Sequence, residues 1–158
     1  MKTLRIKWTR LVDSRGRTCK RCGATEKQVE KAARGLRATL ARFGVKVSLE
    51  KRKLSRKGFL RDTLKSNRVE INGRLLEKWV NARTGRTYCC DACGGAECRT
   101  VKIGKKVYET VPAELIVKAA LAAAAQMLKG VRVGACCGSG KAGKAKACGC
   151  GCGRRGQG

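Results

Sequence analysis

Eleven cysteines and no histidine set the chemistry open to this chain of 158 residues. Without an imidazole there is no Ser-His-Asp triad, no Cys-His protease pair and no mixed Cys/His zinc finger. A metal site must then be built mainly from sulfur. The first group of thiols is Cys19-Lys20-Arg21-Cys22. Just ahead of a helix N-terminus and among cations, both gain thiolate character, which serves nucleophilic attack or metal coordination. The second group, Cys89, Cys90, Cys93 and Cys98, has the spacing C-C-x2-C-x4-C, and Gly94 and Gly95 let the loop curl tightly. Converging soft thiolates select zinc, copper(I), iron–sulfur clusters or heavier thiophilic ions. A structural zinc staple without activity would use the same ligands. The candidate metal ligands are Cys19, Cys22, Cys89, Cys90, Cys93 and Cys98. The candidate redox pair is Cys19 as attacking thiolate and Cys22 as resolving thiol.

The elements that must position these groups follow from patterning. Leu4, Ile6 and Trp8 alternate with polar residues as a first strand, and the Cys19 to Cys22 loop comes next. Thr25 and Gln28 have capping-box spacing, so a helix is expected to open there with Val29, Ala33, Leu36, Leu40 and Phe43 on one face, ending at Gly44. Its basic residues Lys27, Lys31, Arg34 and Arg42 fall on the opposite face. Val45, Val47 and Leu49 read as a second strand, and the basic run Lys51 to Arg61 leads into a short helix. Asn72-Gly73 between Val69, Ile71 and Leu75 signals a hairpin. Val101 and Ile103, Gly104-Lys105 and Val107 read as another ribbon. Pro112 and Gly130 bracket an Ala-rich helix, buried against a sheet and too short to cross a bilayer.

Hydrophobic content of 42% with only 4% aromatics calls for an aliphatic core. The composition changes at Gly130. From there to Gly158 glycine, lysine, arginine and cysteine dominate with no acid, which reads as a flexible tail after a domain spanning residues 1–129 with a Cys-rich insert at about 80–110. Cys136-Cys137 and Cys148-x-Cys150-x-Cys152 in that tail resemble a metallothionein-like scavenger in spacing alone.

Strand, Cys-x-x-Cys loop, helix, strand, helix, hairpin and helix is the order expected of a thioredoxin-like α/β fold, a central mixed sheet flanked by helices. Thr18-Cys19-x-x-Cys22-x-x-Thr25, Ser66-Asn67-Arg68-Val69-x-Ile71-Asn72-Gly73, Cys89-Cys90, Glu97-Cys98-Arg99-Thr100 and Val111-Pro112-Ala113-Glu114-Leu115-Ile116 follow one another in the chain. Together they resemble the uncharacterised prokaryotic family called domain of unknown function 2703, over roughly residues 4 to 125. The resemblance implies a thioredoxin-like fold and no function. Ser66-Asn67-Arg68 stands where thioredoxins carry a cis-proline, and the chain's only proline is Pro112.

Lys2, Arg5, Lys7 and Arg10 interrupt the apolar residues of the N-terminus, so neither signal peptide nor membrane span is read there, and a cytoplasmic location is expected. In a reducing compartment the cysteines are expected as thiols, ligands or transient redox partners rather than structural disulfides. Three functions are open. The chain binds a thiophilic metal or metalloid, such as zinc, through its thioredoxin-like domain; or it is a dithiol-disulfide oxidoreductase; or its net charge of +27 drives weak, salt-sensitive, unspecific contact with nucleic acid. The first ranks highest, because six cysteines outside the tail exceed what a dithiol catalyst needs.

Overall fold

The computed structural model describes residues 1–89 and 93–129. Cys90 and the segment 130–158, with its five cysteines, lie outside the described residues.

Period-two patterning gives the first strand, β1 (Lys2–Leu11), which buries Leu4, Ile6 and Trp8 while Thr3 and Arg5 stay exposed. β2 (Val45–Leu54) runs parallel to it along its whole length, from Lys2 opposite Val45 to Leu11 opposite Leu54. A parallel pair needs a crossover, and α1 (Lys20–Ala41) supplies it. β3 (Arg68–Ile71) lies antiparallel on the other side of β1, and β4 (Arg74–Leu75) completes a mixed sheet in the order β2-β1-β3-β4. Asn72 (φ 51) and Gly73 (φ 77) supply the two left-handed residues of the expected hairpin turn.

α1 and α4 (Ala113–Leu128) share one aliphatic core with this sheet. α1 contributes Val29, Ala32, Ala33, Leu36 and Leu40; α4 contributes Ile116 and the alanines at 119, 120, 123 and 124, all buried. Each buried Leu, Ile or Val adds about 1.5–3 kcal/mol, and the alanine face of α4 lets it approach closely. Lys27, Lys31, Arg34 and Arg42 on the far side of α1 are exposed, as their spacing predicts.

α1 starts earlier than the capping-box spacing suggests. Thr25 is fully buried inside the helix, where its Oγ1 accepts from the Val111 amide at 3.3 Å, and Gln28 Oε1 accepts from the Ala113 amide at 3.1 Å. The two side chains that looked like a helix start instead anchor the entry to α4. The real start is Cys19, at the N-cap with extended backbone (φ −71, ψ 164).

The basic run Lys51 to Arg61 divides between the end of β2 and the six-residue α2 (Arg56–Arg61), capped by Ser55 Oγ accepting from the Gly58 amide at 3.2 Å. A second sheet, antiparallel and ordered β5-β6-β7, comprises β5 (Arg83–Tyr88), β6 (Glu97–Ile103) and β7 (Lys106–Tyr108), the last two joined through Gly104 (φ 56). Among the described residues no helix is long and apolar enough to cross a membrane.

One buried ion pair ties the second sheet to the rest. Arg99 on β6 donates to Glu77 Oε1 (2.9 Å) on α3 (Leu76–Trp79), to the Leu64 carbonyl (2.8 Å) and to Thr84 Oγ1 (3.0 Å). Both charged side chains are at most 5% exposed. Removing one partner of such a pair strands the other charge, so Glu77→Ala is expected to cost about 3–5 kcal/mol. In urea unfolding this is a lower midpoint at unchanged slope. Glu77→Leu combined with Arg99→Met should recover most of the loss, and a double variant no better than the single would refute the assignment.

Candidate metal centre

The two cysteine groups, separated by a long stretch of chain, meet in space. Cys19 Sγ lies 3.7 Å from Cys89 Sγ, and the sulfurs of Cys19, Cys89 and Cys93 all fall within 4.8 Å of one another. Cys19 arrives from the N-terminus of α1, Cys89 from the end of β5, and Cys93 from the loop that leads through Gly94 (φ 66) and Gly95 (φ 74) to β6. Those left-handed glycines turn the loop back on itself at no steric cost. Cys19 and Cys89 are half-buried and Cys93 is buried.

Arg21 is what brings the end of β5 to the helix. Its guanidinium is 7% exposed and donates to the carbonyls of Thr87 (3.4 Å) and Tyr88 (2.8 Å), the two residues before Cys89, while pairing with Glu109 at 2.9 Å. Sequence reasoning counted Arg21 as part of the positive surroundings of the thiols. Its structural role is to hold a strand terminus, and nothing in the local sequence distinguishes it from the exposed Lys20 beside it.

The remaining sulfurs sit behind the trio. Cys98 is fully buried and its thiol donates to Cys93 Sγ at 3.6 Å, beneath the fully buried ring of Phe59 from α2. Cys22, on the first turn of α1, is buried with its sulfur 3.6 Å from Ser66 Oγ. Ser66 also accepts from the Leu11 amide at 3.0 Å, and Asn67 (φ 56) donates to the Glu109 carbonyl at 3.0 Å. The Ser66-Asn67 segment thus faces the Cys-x-x-Cys group. No disulfide joins the described cysteines.

The thiols differ sharply in acidity. The Cys22 thiol, and after it the Cys22 amide and the thiols of Cys89 and Cys93, stabilise a charge on Cys19 and lower its pKa to about 4 despite partial burial. Cys22, which serves that charge as a donor and is buried besides, is raised far above the ordinary thiol range. Burial first, and then the charge on Cys89, push Cys98 up to about 12. At neutral pH the group therefore presents a thiolate at its front and protonated thiols at its back. Soft anionic sulfur at this spacing suits a thiophilic ion, and a low-pKa thiolate beside a buried thiol also suits disulfide exchange.

The basic surface is partly engaged. Lys51, from the basic run Lys51 to Arg61, is held by Glu30 and Glu26 of α1, and that contact raises its pKa.

Among known proteins, the chain is 46% identical to an uncharacterized protein of Archaeoglobus fulgidus over 114 residues, which cover 72% of this chain and 82% of that one. No solved structure matches it. The family model described as domain of unknown function (DUF2703) matches residues 4–120, a span that takes in β1, the Cys-x-x-Cys helix, the hairpin, the second cysteine group and the start of α4. With most of its length covered by that model, and a relative at this identity, the chain belongs to the DUF2703 family.

Proposed function

We propose that this protein binds a thiophilic metal or metalloid ion, such as zinc, on Cys19, Cys89 and Cys93. The observation that carries the reading is the convergence of these three sulfurs within 4.8 Å, from three separate parts of the chain. Three sulfurs so close can all ionise only at the cost of mutual repulsion, and a cation between them is the simplest way to offset that cost. Three protein ligands leave room for a fourth, which is how exchangeable rather than closed structural sites are built. Cys22 and Cys98 stand outside this trio as the thiols that surround it, and Cys90 lies outside the described residues.

We further read the scaffold as thioredoxin-like. The order β2-β1-β3-β4, parallel between β1 and β2 and antiparallel at β3 and β4, with a Cys-x-x-Cys group at the start of the crossover helix, supports that reading. The contrast between Cys19 and Cys22 supports a second function on the same residues, dithiol-disulfide exchange with Cys19 as nucleophile and Cys22 as resolving thiol.

Anaerobic metal titration tests the first reading. Replacing Cys19, Cys89 or Cys93 singly by Ser is expected to weaken zinc or cadmium binding by about 100-fold or more, beyond the 10–100-fold typical of an outer partner. Cys22→Ser should leave most of the affinity. Retention of one tightly bound ion per chain in all three variants would sink the proposal. Arg21→Ala, which removes no sulfur but releases the end of β5, should weaken binding by about 10–100-fold with helix content unchanged; unchanged affinity would remove Arg21 as the positioning residue.

Alkylation separates the two readings. Below its pKa a thiol is protonated and unreactive, so iodoacetamide should modify Cys19 of the metal-free protein rapidly at neutral pH and slow only as pH falls toward about 4. Loading with metal should protect it. Equally fast alkylation in the metal-loaded protein would favour disulfide exchange.

A further inference from the structure

Cys19 and Cys93 line a cleft of about 970 Å³, together with the loop after β1 and the junction of β2 with α2. The cations on its walls are Arg17, Lys53 and Arg56. Arg56 stands directly beside the sulfur loop, since a Cβ on Gly94 would come within 2.7 Å of its Nη2. Lys53 reaches across to the facing loop, where a Cβ on Gly16 would lie 4.0 Å from its Nζ. Among the described residues neither Lys53 nor Arg56 has an ion-pair partner. Among the described residues Asp13 is the one acid on the walls, and its carboxylate is taken up by Arg17 Nε (2.9 Å) and by the amides of Arg15 (2.9 Å) and Arg17 (2.8 Å).

This arrangement opposes the entry of a bare cation. A divalent ion approaching the thiolates must pass two positive side chains that have no ion-pair partner among the described residues, on a chain of net charge +27, and a cleft with an excess of one sign of charge concentrates the opposite sign and disfavours its own. We propose that the sulfur centre receives its cargo as an anion: a soft metal ion already complexed by anionic ligands, which enters between Lys53 and Arg56 and is handed to Cys19. The proposal rests on the metal-binding reading above. The transfer is a ligand exchange with no change of oxidation state. One bond forms from the Cys19 sulfur to the metal, one bond from the metal to the carrier ligand breaks, and the released ligand takes a proton from solvent. The cations then hold the released carrier off the metal, while Cys89 and Cys93 displace the remaining carrier ligands, each thiol passing its proton to the ligand it releases or to solvent.

Mercury(II) complexes with two identical small thiols isolate charge from chemistry, because the S–Hg–S unit is constant while the mercaptosuccinate complex is anionic, the 2-mercaptoethanol complex neutral and the cysteamine complex cationic. Stopped-flow absorbance of sulfur-to-mercury charge transfer in the full chain, at low salt, should rank the rates anionic, neutral, cationic, with about tenfold to a hundredfold between the extremes. Added salt should compress the series. Lys53→Glu with Arg56→Glu should remove or reverse the ranking while leaving mercury bound at completion unchanged. Lys31→Glu with Arg34→Glu, an equal charge change on the exposed face of α1, should preserve it. Equal rates for the three complexes, fastest transfer from the cationic one, or equal effects of the two double variants would overturn the inference with the metal site intact. Failure to take up mercury from any complex would instead overturn the metal-binding reading itself.

Discussion

A buried guanidinium that spends its donors on backbone carbonyls is the constraint on which the sulfur centre depends. Arg21 leaves water at a cost that only near-complete pairing can offset, and the partners it finds are the carbonyls of Thr87 and Tyr88 and the carboxylate of Glu109. Those carbonyls lie at the end of β5, where Thr87 and Tyr88 pair with Cys98 and Glu97 of β6, and Arg21 ties that strand end to the start of α1. The geometric result is that Cys89, the next residue, is delivered to the N-terminus of α1 where Cys19 stands. Glu109 makes the arrangement doubly fixed. Its side chain meets Arg21, while its carbonyl accepts from Asn67 beside the Cys22 partner Ser66. The loops bearing both cysteine groups and the Ser66-Asn67 turn are thereby held in one frame without a disulfide among the described cysteines.

Holding thiolates together is an electrostatic problem, and the thiols divide it. If every sulfur in the group ionised, repulsion at separations under 5 Å would be large in a partly buried site. The protein confines the charge to the front. Cys22 stays protonated and stabilises Cys19, and Cys98, under Phe59, is held up by burial and donates to Cys93. Buried thiols thus act here as hydrogen-bond donors to the sulfurs of the trio, a use that requires them to be poor acids.

The sequence made some of this legible. Residues whose roles are settled within a few positions of themselves were readable: the alternation of Leu4, Ile6 and Trp8, the Asn72-Gly73 turn, the Gly104 turn, and the apolar face of α1 from Val29 to Leu40, though not Phe43, which lies past the end of the helix and is exposed. Thr25 and Gln28 misled because their spacing is a local signal, whereas the amides they satisfy, at Val111 and Ala113, belong to a distant segment. The convergence of Cys19 with Cys89 and Cys93 was legible only as a possibility, since residue type gives softness and spacing gives loop curvature, but neither gives the fold-scale contact made by Arg21. Phe59 in α2 and Arg99 in β6 are of the same kind. Each looks ordinary in its own segment and acquires its role from an element far along the chain.

The position of the centre between the two sheets follows from these contacts. The first sheet and its helices form a continuous aliphatic core with α1 and α4, and a polar site inside it would displace packing that stabilises the fold. At the seam where the second sheet joins, a smaller cluster of Phe59, Cys93 and Cys98 packs separately, with Leu11, Leu54 and Ala96 around it. Sulfur serves both demands there. A protonated cysteine packs as a small hydrophobe, so Cys98 and Cys22 cost the interior little, and the same atom type, once ionised at the rim, becomes a soft ligand or nucleophile. The seam is also where strand ends and turns gather, so Gly94 and Gly95 bend the loop there and Arg56 lies against it. A reactive group placed at such a seam is accessible from the cleft and braced from behind, and the stability of the larger core does not depend on it.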